Sequence, residues 1–108
     1  MKLRAKAALA ALAVLVATPA AQAADPVKIG MVLPLTGPTA GYGKDGKLGA
    51  DMAAAEINAA GGILDGREIE LVYEDEKGAP QDGVAAVQKL MTRERVQAII
   101  AGMNSSIT

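Results

Sequence analysis

Two adjacent serines, Ser105 and Ser106, and a tyrosine set among glycines, Tyr42, are the residues of this chain best suited to holding a small molecule. Ser105 and Ser106 follow an apolar run and a glycine, where a helix is expected to begin. Hydroxyls and free backbone N–H groups at a helix N-terminus, backed by the positive end of the helix dipole, form a receptor for a carboxylate. A serine there also serves as a plain helix cap, and the two roles are compatible because capping leaves neighbouring N–H groups free. Tyr42 suits the wall of a ligand pocket, although a tyrosine packed on its own loop reads the same way. Covalent chemistry has little to work with. The chain has no His and no Cys, so Ser-His-Asp and zinc hydrolysis cannot be assembled from it.

One motif imitates a cofactor site. Gly41, Gly43 and Gly46 fit G-x-G-x-x-G before a helix. The glycines begin eight residues past Leu33, beyond any tight turn, and Asp75 lies 29 residues past Gly46, where about 20 is expected of a ribose-binding acid. A nucleotide is therefore not expected, and no cofactor or metal is assigned.

The first 23 residues read as an export signal: Lys2, Arg4 and Lys6, an apolar run over residues 7–17, and Ala21-Gln22-Ala23 as the cleavage site. The apolar run is too short for a membrane span. Without it the mature chain, residues 24–108, keeps 8 of the 11 basic residues and all 12 acidic ones, a net charge of −4. No basic cluster suits nucleic acid. With no cysteine available for a disulfide, stability must come from an apolar core.

The elements that must position Tyr42 and the serines follow in order. Residues 27–33 (VKIGMVL), bounded by Pro26 and Pro34, predict a buried strand, and residues 34–44 a loop. Residues 45–60 predict a helix with Leu48, Met52, Ala55 and Ala59 on its apolar face, stopped by Gly61 and Gly62. Residues 68–75 predict a second, less buried strand, whose acidic end Glu74-Asp75-Glu76 reads as solvated. Pro80 opens a helix to about residue 94 with Val84, Val87, Leu90 and Met91 inward, and residues 96–101 predict a third, buried strand. The β-α-β-α-β order suits right-handed crossovers and a parallel sheet. A strand order of 2-1-3 would bring the loops after strands one and three together at a topological switch point.

With these residues in place, the chain resembles the N-terminal lobe of periplasmic substrate-binding proteins for branched-chain amino acids, the leucine/isoleucine/valine type that feeds ABC importers. The resemblance rests on I-G-x-x-x-P-L-T-G running into A-x-Y-G, on G-A-D-M-A-x-x-E-I-N-A-A-G-G-I-x-x-G-R, on the helix ending K-L-M, and on the paired serines. It covers residues 27–108 and implies a partial N-terminal lobe of the type I, Rossmann-like α/β fold. It further implies that Ser105 holds the ligand carboxylate with Ser106 beside it, and that Tyr42 lines the side-chain pocket. Remaining ligand contacts would come from later strands and a second lobe. The partners implied are a small amino acid, amide or related acid and the membrane subunits of an ABC permease, with the protein a periplasmic monomer and not an enzyme. Asn104 stands where some members carry one of a cysteine pair. A sensory lobe of a receptor, or a truncated remnant, remains an alternative reading. Residues 24–108 by themselves are expected to be marginally folded and to bind no amino acid measurably.

Overall fold

A computed structural model of the chain describes residues 23–107; the export signal predicted for residues 1–23 falls almost wholly outside the described residues. Strand β1, Val27–Leu33, is the centre of the sheet, with Val27, Met31, Val32 and Leu33 buried. Strand β2, Ile69–Asp75, and strand β3, Ala98–Ile100, pair with it on opposite sides, both parallel, in the order β2-β1-β3. The α/β fold, the parallel sheet and the switch point after β1 are therefore those the sequence predicts. Register pairs Val27 with Ile69 at one end and Leu33 with Asp75 at the other, so β1 and β2 end level.

Helix α1, Ala40–Ala59, starts five residues earlier than predicted and absorbs the glycine-rich segment read as loop. Glycine disfavours helix, but here closeness outweighs propensity. A Cβ on Gly43 would overlap the Pro34 carbonyl, so only glycine lets the helix lie against the β1 exit. The apolar face is also corrected. Leu48 and Met52 are exposed, and the residues turned towards the sheet are small: Gly46, Ala50 and Ala54, followed one turn on by Asn58, at a spacing of four. Asn58 closes the far end by donating to Ile69 O at 2.9 Å and accepting from Ile69 N–H at 2.7 Å. Gly61 and Gly62 then take positive φ, as a helix stop requires.

Helix α2, Pro80–Lys89, continues as a wider π turn over Leu90–Glu94, and Arg95 at φ 53° ends it. The inward face is again shifted from prediction. Val84 and Met91 are exposed, whereas Gly83, Ala86, Val87 and Leu90 turn inward at helical spacing. Leu90, with no exposed surface, joins Val32 and Ala86 in the core, with Val72, Val87, Val96 and Ile99 packed around them. Strand β3 is shorter than predicted, and Ala98 and Ile100 are exposed. It pairs on one side only among the described residues, so the burial predicted for it is not realised. An apolar groove of about 170 Å³ runs between α1 and the sheet, lined by Ile29, Met31, Leu71, Ile57 and Ile100 among others.

Candidate functional site

Because β1 is central and all strands are parallel, the segments leaving β1, β2 and β3 converge at one edge of the sheet. The β1 segment, residues 34–39, is the best anchored. Asp75 Oδ1 accepts N–H bonds from Leu35 (2.8 Å), Thr36 (3.2 Å) and Lys77 (2.8 Å), and Oδ2 accepts from the Thr36 hydroxyl at 2.6 Å. The level register of β1 and β2 makes this possible, since Asp75 stands beside Leu33 where the chain turns out of the sheet. Burial alone pushes the Asp75 carboxyl up, but the hydroxyl and three N–H donors favour the charged form more strongly, and the net direction is downward.

The acidic end of β2 is therefore not the solvated run the sequence suggests. Glu74 pairs with Lys89 of α2 at 2.5 Å, Asp75 fastens the first loop, and Glu76 is fully buried. Alternation along β2 turns Glu74 and Asp75 to opposite faces, and Glu76, one residue past the end of the strand, lies buried.

The β3 segment meets the first loop side by side. Asn104 Nδ2 donates to Thr39 Oγ1 at 3.5 Å, Met103 lies over Gly46 of α1, where a Cβ would come within 2.9 Å of its Cε, and Ile107 packs on Gly83 of α2. Ile107 N–H donates to Asn104 O at 3.0 Å, closing a turn that holds Ser105 and Ser106 exposed. The serines thus stand in a turn beside the first loop, and no helix begins within the described residues after them. Tyr42 lies in the first turn of α1, not in a loop, with 71% of its surface exposed. Its side chain makes no hydrogen bond to either serine among the described residues.

The sequence gives Thr36, Thr39, Asp75 and Asn104 no role at the site, yet they tie the three segments together. The hint available was positional: a carboxylate closing a strand beside a Pro-Leu-Thr-Gly exit has the free N–H groups of a turn within reach. The N-terminus of α1 also opens on this edge. Thr39 accepts from Tyr42 N–H at 3.1 Å through its carbonyl but does not cap with its hydroxyl, which meets Asn104 instead. No acidic residue occupies the first turn. Asp75 takes up the N–H groups of Leu35, Thr36 and Lys77, so what the edge leaves open is the exposed hydroxyls of Ser105 and Ser106 beside the N-terminus of α1, a set that suits an anion such as a carboxylate.

Replacing Asp75 tests how much of this depends on one carboxylate. Asp75→Asn should loosen residues 34–37, since an amide accepts from fewer N–H donors, each such bond to a charged group being worth about 1.5–3 kcal/mol. The folded pKa lies below the unfolded 3.8, so this contribution is present above about pH 4 and is lost as pH falls through the lower folded value. Acid unfolding followed by circular dichroism should show a limb below about pH 4 that the Asn variant lacks; identical acid limbs would refute the clamp.

The sequence profile of the periplasmic binding protein family matches residues 26–108. A Leu/Ile/Val-binding protein, BraC3 of Rhizobium johnstonii, is 46% identical over 65 residues, 60% of this chain and 17% of the relative. The crystal structure of a putative branched-chain amino acid ABC transporter from Silicibacter pomeroyi superposes with a TM-score of 0.70 at 47% identity, covering 74% of this chain and 20% of that one. LivJ, the branched-chain amino acid transporter substrate-binding protein of Streptococcus pneumoniae, solved in complex with isoleucine, gives 0.65 at 39% identity over 68% of this chain and 21% of its own. The chain spans about a fifth of the length of these relatives.

Proposed function

Because the chain belongs to the periplasmic binding protein family, we propose that it supplies one wall of an extracytoplasmic receptor that captures a small amino-acid-like ligand, first of all a branched-chain amino acid, for an ABC permease. The observation that carries this reading is the meeting of the β1 and β3 segments through Thr39 and Asn104, which sets Ser105 and Ser106 beside the N-terminus of α1. The binding of isoleucine by one relative supports the ligand class.

In this reading Ser105 donates its hydroxyl to the ligand carboxylate, Ser106 contributes from the same turn, and exposed Tyr42 shapes the side-chain pocket from α1. The opposite wall comes from a second lobe, and hinge closure between the lobes excludes water and creates the form the permease recognises. No bond is made or broken, so the protein acts as a binding protein and not as an enzyme, and its place is the periplasm.

The test is a thermal-shift and calorimetric screen of the full-length protein against leucine, isoleucine, valine, small amides and aromatic acids. A ligand at a hundredfold excess over its Kd should stabilise by about 2.7 kcal/mol. Ser105→Ala should then weaken that ligand about tenfold or more, the loss of one hydrogen bond to a charged group. Absence of stabilisation by any compound would overturn the reading.

A further inference from the structure

The amino edge of the sheet, opposite the serines, holds a cavity of its own. A cleft of about 580 Å³ opens there, lined by Lys28, Arg67, Arg93 and Arg95 together with Asp25 and Glu94. Small-molecule sites fall in the range of about 300–1,000 Å³, which includes this volume. The four cations are scattered in the sequence and come from different elements. Lys28 stands at the start of β1, Arg67 just before β2, Arg93 in the π turn that continues α2, and Arg95 at its end. Local hydrogen bonds draw them to one place. Lys28 N–H donates to Gln97 Oε1 at 2.7 Å and Gln97 N–H to Lys28 O at 2.8 Å, which ties the segment after the π turn to β1. Arg67 Nε donates to Asp25 O at 2.6 Å and Nη2 to Pro26 O at 3.3 Å, which fastens its guanidinium to the entry of β1.

Two features set this cluster apart from ordinary surface charge. The first is which cations gather. Residues 24–108 contain five lysines and three arginines, and all three arginines line the cleft. The ion pairs of the described residues are made by Lys47, Lys77 and Lys89 instead, and neither Asp25 nor Glu94 pairs with any of the four cations. Lysine is a point charge, whereas the arginine fork grips two oxygens of one oxyanion at once. The second is the backbone of Arg95, left-handed at φ 53° and ψ 49°, where glycine or asparagine ends a helix with the least strain. A cation in the last turn of a helix offsets its dipole, and that accounts for Arg93. It does not account for Lys28 at the entry of β1.

We propose that this cleft is a second binding site, for a phosphate-bearing anion, in which Arg67, Arg93 and Arg95 hold the oxygens and Lys28 adds positive charge. The charges set the class of ligand. Four cations less the two carboxylates leave +2 at the cleft, which the charge of about −2 on a phosphate monoester neutralises. Donors are also available: of the five N–H groups of the Arg67 guanidinium, two are used, and the remaining three make no hydrogen bond among the described residues. The amino edge and the carboxyl edge are opposite ends of a parallel sheet, so this site stands whether or not an amino acid binds beside Ser105.

The experiment measures the thermal midpoint of the full-length protein in inorganic phosphate and in sodium chloride of equal ionic strength, with calorimetric titration of phosphate. Phosphate should raise the midpoint above its value in chloride, and the increment should shrink as salt is added, because the cleft is open to screening ions. Arg95→Gly removes a cation and relieves the left-handed backbone. Its midpoint in chloride should therefore match or exceed the parent's, while phosphate binds about tenfold or more weakly. Arg93→Gln should weaken phosphate likewise, and Lys44→Gln, an exposed position on α1 outside the cleft, should not. Sedimentation with vesicles of phosphatidylcholine, with and without phosphatidylglycerol, identifies the source of the phosphate. Retention that requires phosphatidylglycerol and is lost in Arg95→Gly assigns a lipid headgroup; a phosphate increment without retention assigns a soluble phosphate compound. Neither increment nor retention in the parent, or either effect undiminished in both arginine variants, would overturn the proposal.

Discussion

Substituting Gly43 by alanine should destabilise the protein, whereas the same change at Gly41 or Gly49, in the same helix, should stabilise it. All three lie within α1. On propensity alone each change should gain up to about 1 kcal/mol. Nothing lies within 4 Å of a Cβ placed at Gly41 or Gly49, so the gain should appear there. At Gly43 the added carbon overlaps the Pro34 carbonyl, an obstacle made of backbone that cannot rotate aside. Overpacking costs about 1–3 kcal/mol, and against a fixed carbonyl the upper end applies, leaving a net loss of about 2 kcal/mol. Relief requires α1 to lift or residues 34–36 to move, and two of these, Leu35 and Thr36, are N–H donors that Asp75 holds. Under the proposed binding role, Gly43→Ala should also weaken ligand binding, because residues 34–36 border the candidate site. Urea unfolding of the three variants decides the point, and a stabilised Gly43→Ala would contradict the close approach.

The same residue shows where the sequence was legible and where it was not. Strand β1 could be read because an apolar run stands between Pro26 and Pro34, and both its limits hold. The parallel pairing followed from connections better suited to crossovers than to hairpins, and the order β2-β1-β3 is the one that brings the first and third loops together. The start of α1 was hidden because helix signals weigh intrinsic preference, and Gly41, Gly43 and Gly46 argue for loop until the Pro34 carbonyl and Met103 are placed against them. The inward faces were misjudged for a related reason. Ranking by hydrophobicity chose Leu48 and Met52 on α1, and on α2 added Val84 and Met91 to Val87 and Leu90, which do pack, yet the faces that pack are completed by small residues that permit approach: Ala50 and Ala54, Gly83 and Ala86. In a parallel sheet with helices laid directly on it, the contact surface is selected by size as much as by polarity. The acidic run after β2 was unreadable on different grounds. Glu74, Asp75 and Glu76 have the same sign and adjoin one another, and only the register that sets Asp75 beside Leu33 turns one to Lys89, one to the loop and one inward. Of the residues expected to meet a ligand, Ser105 and Ser106 stand at the predicted edge, in a turn, while Tyr42 sits on the helix.

Truncating Leu90 to alanine should cost about 3–4 kcal/mol, the middle of the range for a leucine removed from a fully packed core. Leu90 is the one large side chain of α2 and its π turn with no exposed surface, and it joins Val32 beneath the sheet. The wider turn over Leu90–Glu94 matters here, because an extra residue in the turn lets the side chain stay on the sheet while Arg95 reverses the chain towards β3. Across the interface it faces Gly30 of β1, where a Cβ would come within 2.8 Å of Leu90 Cδ1. Leu90 is enclosed on all sides and cannot yield, so Gly30→Ala alone should destabilise as well. The two changes should then couple. With Leu90 shortened, the added methyl at Gly30 enters space that the substitution vacated, and the double variant should be more stable than the sum of the two losses by about 1 kcal/mol or more. A control at Met91, the next residue and exposed, should lie within about 0.5 kcal/mol of the parent. Denaturant unfolding of the four corners of the cycle measures the coupling, and strict additivity would mean that β1 and α2 do not meet at this pair.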